Sequence, residues 1–314
     1  MNRINKELNE IMLKSDWLKI PYDELLENYP NLIREKELEL SNNETPLKIP
    51  ENLIVENIEI THKGRKIRLR TYKPKNKSNL PVLLFFHGGA FIFGTPEQYD
   101  FIFYRLSIDV NMSIVSVDYS LAPENPFPSA VDDGYFALNW IIENSTIIQA
   151  DKHKILIGGS SAGGTIAMSI THLARDLGNN SIFFQYLLYP PTDDRLDTPS
   201  MNEFAIAPMQ TRKSAKFMWQ HYLGKKNNEN PKYAIPLRQK NFKNLPPACI
   251  VVCELDPLKD EAIHYANKLR NENIPVELIE IKGAIHAFDF FPCQLSEDFY
   301  KTQITTLKNA IHLE

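Results

Sequence analysis

The sequence predicts an α/β protein built on a mostly parallel central sheet flanked by helices. Short runs of almost uninterrupted apolar residues recur along the chain, as expected of strands buried on both faces. Stretches with helical spacing separate these runs, and 314 residues suffice for one large core. Strand–helix alternation over such a length indicates an open sheet with right-handed crossovers.

Two alternating segments, 54–60 and 65–72, open the predicted sheet as a hairpin whose turn contains Gly64. Five buried strands follow, and a sixth segment carries two glutamates and is expected nearer an edge. In chain order these six are 82–86, 114–117, 155–157, 183–188, 250–252 and 276–281. The clearest predicted helices between them are 130–143, 165–177 and 260–272.

Two polar segments interrupt this alternation. Residues 1–45 have helical spacing broken by Pro21 and Pro30. Residues 191–231 contain a helix-like stretch and are expected to form an insertion over the sheet edge. The core is therefore predicted in two parts, residues 46–190 and residues 232–314.

Composition and charge exclude several classes of function. A formal net charge of −4 gives no electrostatic attraction to nucleic acid or to an anionic membrane. No run reaches the apolar length of a membrane span, and the first eight residues show no apolar core of a signal peptide. The chain has three cysteines, which suits a reducing compartment. The sequence therefore predicts a cytoplasmic protein.

The segment Gly159-Ser160-Ser161-Ala162-Gly163 joins an apolar run to a predicted helix. Its Gly-x-Ser-x-Gly spacing brackets Ser161, whereas Ser160 would need a glycine at position 162. A sharp strand-to-helix turn holds a serine oxygen clear of the sheet, beside a helix N-terminus that favours negative charge. Such a stretch in isolation is more often an ordinary loop, so the case for a nucleophile depends on the rest of the chain.

A second glycine-containing loop, His87-Gly88-Gly89-Ala90, directly follows the strand at 82–86. Its backbone N–H groups, with that of Ala162, are candidates for an oxyanion hole, while a tight turn is the alternative reading. A base should follow the serine and the acid along the chain. His286 lies in a loop after the last strand, and Asp256 ends the preceding one. Glu254 and Asp260 are competitors for the acid.

At these motifs the chain resembles the hormone-sensitive-lipase-like branch of the α/β-hydrolases, a family of carboxylesterases. The motifs are His87-Gly88-Gly89-Ala90-Phe91, Asp118-Tyr119-Ser120-Leu121-Ala122-Pro123-Glu124, Gly159-Ser160-Ser161-Ala162-Gly163-Gly164, Asp256-Pro257-Leu258-Lys259-Asp260 and His286-Ala287-Phe288. The resemblance implies an α/β-hydrolase fold with a helical cap, formed by residues 1–45 and the insertion at 191–231. It also implies pairing of two copies through sheet edges.

The resemblance further implies Ser161 as nucleophile, His286 as base and Asp256 as orienting acid. An oxyanion hole from Gly88, Gly89, Ala90 and Ala162 is implied as well. Four positions depart from the family pattern: Ala90 and Ala287 replace glycines, Ser160 replaces an acid and Ser120 replaces an arginine.

The predicted function is that of a serine carboxylesterase that hydrolyses small-molecule esters with short to medium acyl chains through an acyl-enzyme, without metal or cofactor. An amidase or small-molecule deacetylase with the same triad is one alternative, and a non-catalytic ligand receptor is another. Candidates for an apolar acyl pocket are Phe91, Phe93, Phe204, Met209, Phe217, Met218 and Trp219. Core packing is an equally good interpretation of each of them.

Overall fold

The computed structural model describes residues 3–42, 47–226 and 231–312. Within these ranges eight strands form one sheet in the order β1-β2-β4-β3-β5-β6-β7-β8. The strands are β1 Leu53–His62, β2 Arg65–Pro74, β3 Leu80–Phe86, β4 Ser113–Asp118, β5 Ala150–Ser160, β6 Ile182–Leu188, β7 Ala248–Cys253 and β8 Val276–Ile281. Of these eight strands, β2 alone runs opposite to the other seven, so the predicted mostly parallel sheet is confirmed.

Helices connect and flank the strands. They are α1 Lys6–Met12, α2 Tyr22–Asn28, α3 Pro30–Asn42, α4 Asp100–Val110, α5 Ser129–Glu143, α6 Ala162–Asp176, α7 Pro199–Glu203, α8 Arg212–Leu223, α9 Lys259–Asn271 and α10 Gln294–Ile311. Helices α4 and α10 were not among the helices named from the sequence. Helix α6 begins at Ala162, three residues before its predicted start at residue 165. No helix in the described parts of the chain is both long and apolar enough to span a bilayer.

Strand β3 shows why the sheet is covered on both faces. Val82, Leu84 and Phe86 point into a cluster with α5, α6 and α9, whereas Leu83 and Phe85 point into a cluster with α4 and α10. All five side chains are at most 1% exposed. Each such side chain contributes roughly 1.5–3 kcal/mol on burial, which explains why apolar side chains are needed on both faces of the strand.

A third, smaller apolar cluster joins the N-terminal helices to the sheet. Leu25, Leu26 and Ile33 pack against Ile92 and Ala122, which lie in loops after β3 and β4. Helix α2 also packs against α8. The predicted boundary between residues 45 and 46 lies outside the described residues, as do residues 227–230 near the end of the predicted insertion.

The parallel strands bring four chain segments to one edge of the sheet. Strands β3, β5, β7 and β8 all end there, and each is followed by one of the motifs singled out in the sequence. In open α/β sheets, ligands bind at this carboxyl edge because the loops that leave it converge.

Candidate active site

The side chains of Ser161, His286 and Asp256 form one hydrogen-bonded chain. Nε2 of His286 lies 2.9 Å from Oγ of Ser161, and Nδ1 lies 2.6 Å from Oδ2 of Asp256. The carboxylate accepts from Nδ1–H, so Nε2 is the nitrogen that accepts the serine hydroxyl. The three residues are 7%, 5% and 1% exposed, respectively. The three side chains that the sequence assigned to nucleophile, base and acid therefore lie in reach of one another.

Ser161 occupies a strained turn between β5 and α6. Its φ of 48° and ψ of −125° lie outside the regions that side chains normally adopt. A Cβ on Gly159 would come within 2.3 Å of the Gly163 backbone, and one on Gly163 within 2.0 Å of the carbonyl oxygen of Phe86. Glycine is required at both positions, because a Cβ at either one would collide with backbone atoms of a neighbouring segment. The N–H of Ser161 donates to the Leu188 carbonyl at 2.8 Å, which fixes the turn to β6.

Asp256 is oriented by its own loop. Its second oxygen, Oδ1, accepts the N–H of Leu258 at 2.9 Å, just before α9 begins. The two competing acids have other partners. Glu254 accepts the N–H of Gly283 at 2.8 Å, and Asp260 accepts that of Ser200 at the same distance. Glu254 therefore connects two turns and Asp260 connects α9 to α7, while Asp256 is the acid that contacts the histidine.

Tyr189 packs against the segment that carries His286 and a second buried acid, Asp289. The ring of Tyr189 meets the imidazole edge to face at 4.9 Å, and its hydroxyl donates to Asp289 at 2.7 Å. Burial raises the pKa of Asp289 to about 6. Tyr189 and Asp289 carried no motif and were missed in the sequence.

Three backbone N–H groups beside Ser161 have no hydrogen-bond acceptor in the parts of the chain that the structure describes. They belong to Gly89, Ala90 and Ala162. Gly89 and Ala90 are partly exposed, so a ligand oxygen can approach them. Gly88 was expected to share this role, but its N–H donates to the hydroxyl of Tyr99 at 3.1 Å. This corrects the predicted oxyanion hole, because a donor already bound to a buried hydroxyl is not available to a substrate.

The peptide planes on both sides of Gly88 are held in place. Tyr119 donates to the carbonyl of His87 at 2.9 Å, and Nδ1 of His87 lies 2.7 Å from the carbonyl of Gly88. Because a trans peptide is planar, fixing the Gly88 carbonyl also fixes the opposite direction of the Gly89 N–H. Burial lowers the pKa of His87, so its ring stays neutral with the proton on Nδ1. His87 acts on the loop and not as the base.

Comparison with known proteins shows the family to which this chain belongs. Residues 83–290, well over half of the chain, match the family described as alpha/beta hydrolase fold. The chain belongs to this family, in its hormone-sensitive-lipase-like branch.

Several relatives of this α/β hydrolase are named as esterases. Esterase LipI of Mycobacterium tuberculosis is 37% identical over 226 residues, 71% of this chain and 71% of LipI. Carboxylesterase NlhH of the same species is 33% identical over 275 residues, 85% of this chain and 86% of NlhH. The solved structure of a bacterial heroin esterase matches with a TM-score of 0.89 at 30% identity, over 99% of each chain. The predicted family, fold and enzyme class, a carboxylic ester hydrolase, are confirmed.

Two departures of this α/β hydrolase from the family pattern lie at left-handed backbone positions. Ala90 has a φ of 53° and Ala287 a φ of 55°, where a glycine would be free of strain. A third departure lies beside a buried acid. The N–H of Ser120 donates to the fully buried Asp133 at 3.0 Å, and Arg65 of β2 donates to the same carboxylate at 2.6 Å.

Four of the seven candidates for an acyl pocket separate into two pairs. Phe91 and Trp219 are 1% and 2% exposed, and both rings pack on Tyr222, at 3.9 and 5.9 Å between centroids. Their burial supports core packing, the alternative to an acyl-pocket role that the sequence left open. Phe93 and Met209 are partly exposed, and Phe93 packs against the ring of Tyr22 at 5.6 Å.

Proposed function

We propose that this α/β hydrolase is a serine carboxylesterase that acts on esters of short- to medium-chain acids through an acyl-enzyme intermediate. The observation that carries the proposal is the hydrogen-bonded chain from Ser161 through His286 to Asp256, at 2.9 and 2.6 Å. It lies beside the free N–H groups of Gly89, Ala90 and Ala162. Acyl transfer needs a nucleophile, a base and donors for an oxyanion, and all three are available at this point.

Acylation starts with attack of Ser161 Oγ on the ester carbonyl carbon, while the hydroxyl proton moves to Nε2 of His286. The carbonyl oxygen becomes an oxyanion that accepts from the free N–H groups. Removal of one such donor costs about 10²–10³ in rate in well-studied hydrolases. The bond to the alcohol then breaks, and Nε2 returns its proton to the leaving oxygen.

Deacylation repeats the sequence with water. Nε2 of His286 takes a proton from the water as its oxygen attacks the acyl carbon. The second oxyanion collapses, the bond to Ser161 breaks, and the serine oxygen recovers the proton. Asp256 holds the imidazole in one tautomer and stabilises the imidazolium in both halves of the reaction.

We assign residues 1–45 and 191–231 to a cap, and residues 46–190 and 232–314 to the catalytic core. Contacts between the two cap segments support this assignment. Thr211 donates to Asp23 at 2.6 Å, and His221 lies 2.6 Å from the carbonyl of Leu26. Arg34 of α3 attaches the cap to the core, because it donates to the carbonyl of Ile92 at 2.6 Å.

We take Phe93 and Met209, the two partly exposed candidates, as contacts of the acyl chain. Phe93 lies beside the oxyanion loop, because a Cβ on Gly89 would come within 2.9 Å of its ring. Each acyl methylene that finds apolar contact adds about 0.8 kcal/mol, roughly a fourfold gain in kcat/KM. We expect this gain to stop at medium chain length, where the acyl group outgrows the space under the cap.

A series of p-nitrophenyl esters from acetate to palmitate tests the proposed function. We expect kcat/KM to be highest among short and medium chains, and Phe93→Ala to move the maximum toward longer chains. Phe91→Ala is the matched control, because truncation of this core ring lowers the free energy of unfolding by roughly 3–5 kcal/mol without widening the acyl site. Highest activity on palmitate would contradict the preference, and no hydrolysis of any ester would contradict the function.

We also propose a cytoplasmic location and a homodimer. Cys249, Cys253 and Cys293 are all free and buried, as suits a reducing compartment. Strand β8 ends the sheet and carries only partly buried and exposed side chains, which leaves a surface for a second copy. Sedimentation velocity tests the dimer, and cell fractionation tests the location. A monomer at micromolar concentration, or recovery outside the cytoplasm, would contradict each in turn.

A further inference from the structure

Two hydroxyl groups outside the triad connect the nucleophile turn to the oxyanion loop. Tyr99 lies just before α4, and its hydroxyl accepts the N–H of Gly88 at 3.1 Å. The same hydroxyl forms a close hydrogen bond with Oγ of Ser160, the residue before the proposed nucleophile. Tyr99 and Ser160 are 3% and 1% exposed, so water does not replace either partner easily.

The position of the Tyr99 hydroxyl is well defined by packing. Its ring meets Phe85 at 5.0 Å, Phe103 at 5.4 Å and Phe290 at 5.3 Å. Burial raises the pKa of Tyr99, which keeps the phenol neutral and its proton available for donation. Since the Gly88 N–H can only donate, the phenol oxygen accepts from it. In the bond between Tyr99 and Ser160, either hydroxyl can be the donor.

We propose that Tyr99 and Ser160 act together as positioning residues that set the geometry of the oxyanion hole. The inference rests on the proposed esterase function. The hydroxyl pair spans from β5 to the loop after β3, and therefore fixes the distance between Ser161 and the N–H groups of Gly89 and Ala90. Neither hydroxyl touches the substrate.

The physical reason is that Gly88 lacks a side chain that could hold its backbone in one conformation. A Cβ at this position would lie 3.1 Å from Oγ of Ser160 and 3.3 Å from the Tyr99 hydroxyl, so any side chain here would press on both hydroxyls. Without Tyr99 as acceptor, the buried N–H of Gly88 would lose its partner. The His87–Gly88 peptide, then held by Tyr119 at its carbonyl, would shift toward another acceptor and pull the following Gly89 N–H out of line. A small displacement of the N–H groups that form the oxyanion hole lowers the rate strongly, because their alignment with the oxyanion is lost.

Truncation of each hydroxyl tests this inference. We expect Tyr99→Phe to lower kcat on p-nitrophenyl acetate roughly ten- to hundredfold, with KM within about twofold of wild type. Affinity for a trifluoromethyl ketone, which forms a tetrahedral adduct, should fall in parallel with kcat. Ser160→Ala should give a smaller loss in the same two quantities, because Tyr99 still accepts from Gly88.

The double variant shows whether the two hydroxyls work as a unit. We expect it to lose no more activity than Tyr99→Phe alone, whereas independent residues would multiply their effects. Tyr104→Phe is the matched control for a buried tyrosine of α4, since that hydroxyl donates to Asp100 at 2.9 Å. Ser113→Ala is the control for a buried serine, which donates to the Ile148 carbonyl at 2.7 Å. Both controls should keep wild-type kcat.

The outcomes separate this inference from the proposed function. If both Tyr99→Phe and Ser160→Ala keep wild-type kcat and affinity for the ketone, the positioning role is refuted even where the melting temperature drops. Ser160→Ala removes a single oxygen, so it provides a readout if Tyr99→Phe does not fold. If the wild type itself hydrolyses no ester, the proposed function fails. The rate of Ser161 phosphonylation by a fluorophosphonate then still compares the variants with wild type.

Discussion

Nδ1 of His286 lies 2.6 Å from one carboxylate oxygen of Asp256. The other oxygen accepts the N–H of Leu258, so the acid is held from both sides. The bond on Oδ1 holds the carboxylate in the orientation that presents Oδ2 to the imidazole. The tautomer of the histidine is therefore set by an acid that the turn before α9 orients.

Replacement of Asp256 by asparagine should nearly abolish turnover. The amide can donate to Nδ1, which favours the tautomer with the proton on Nε2 and removes the base for Ser161. We expect kcat to fall about 10³–10⁴-fold, with little change in thermal stability. Asp260→Asn is the control, because this acid bonds to Ser200 and not to the histidine. Equal loss in both variants would argue against the assigned acid.

Gly163→Ala should disrupt the fold around the nucleophile. A Cβ there would lie 2.0 Å from the carbonyl oxygen of Phe86 and 2.5 Å from that of His87. Both are backbone atoms of the sheet edge, so neither can move alone. We expect the free energy of unfolding to drop by more than about 3 kcal/mol in urea titrations.

Gly178→Ala is the comparison variant for Gly163→Ala. This glycine has a φ of 75° and open space around its Cα, so alanine introduces only left-handed backbone strain. That strain costs roughly 1–2 kcal/mol. If Gly163→Ala were as stable as wild type, the close contact between the start of α6 and the end of β3 would be refuted.

Buried Glu37 should make the protein less stable as the pH rises. This side chain of α3 is 8% exposed, and burial raises its pKa to about 8 from an ordinary value of 4.5. Between these two values the folded protein keeps a proton that the unfolded chain releases. Stability is therefore highest below the lower value and declines through the window up to about pH 8.

Glu37→Gln should flatten this decline. We expect the wild type to lose roughly 1–3 kcal/mol more than the variant between pH 5 and pH 8, measured by urea unfolding. Tyr22 donates to the carboxyl at 3.3 Å, and an amide oxygen can accept the same bond. Glu35→Gln is the control, since it removes an exposed carboxyl from the same helix. Parallel pH profiles for wild type and Glu37→Gln would contradict the buried, protonated acid.

The sheet was predictable because each strand contains its own run of apolar or alternating residues in the sequence. Each predicted apolar run lies within an observed strand, and Gly64 sits in the turn between β1 and β2 as expected. Helix α10 was missed, because its pattern mixes polar residues with a few buried ones over 18 positions. The polar half of β5 was missed for a similar reason, since it extends from Ala150 before the apolar run begins.

The site was predictable only where a motif marked it. Gly-x-Ser-x-Gly identified Ser161, and chain order with strand position singled out His286 and Asp256. Tyr99 stands in no motif, and only the fold brings it beside Ser160. This long-range contact also explains the error at Gly88, because the sequence could not show that a tyrosine takes its N–H.

Covalent labelling at the turn between β5 and α6 tests most directly whether Ser161 is the nucleophile. Wild-type protein treated with a fluorophosphonate should gain the mass of one phosphonyl group, and fragmentation should place it on Ser161. Ser161→Ala should stay unlabelled and inactive while its circular dichroism matches wild type. An adduct on Ser160, or normal ester turnover by Ser161→Ala, would contradict the assignment of Ser161 as the nucleophile.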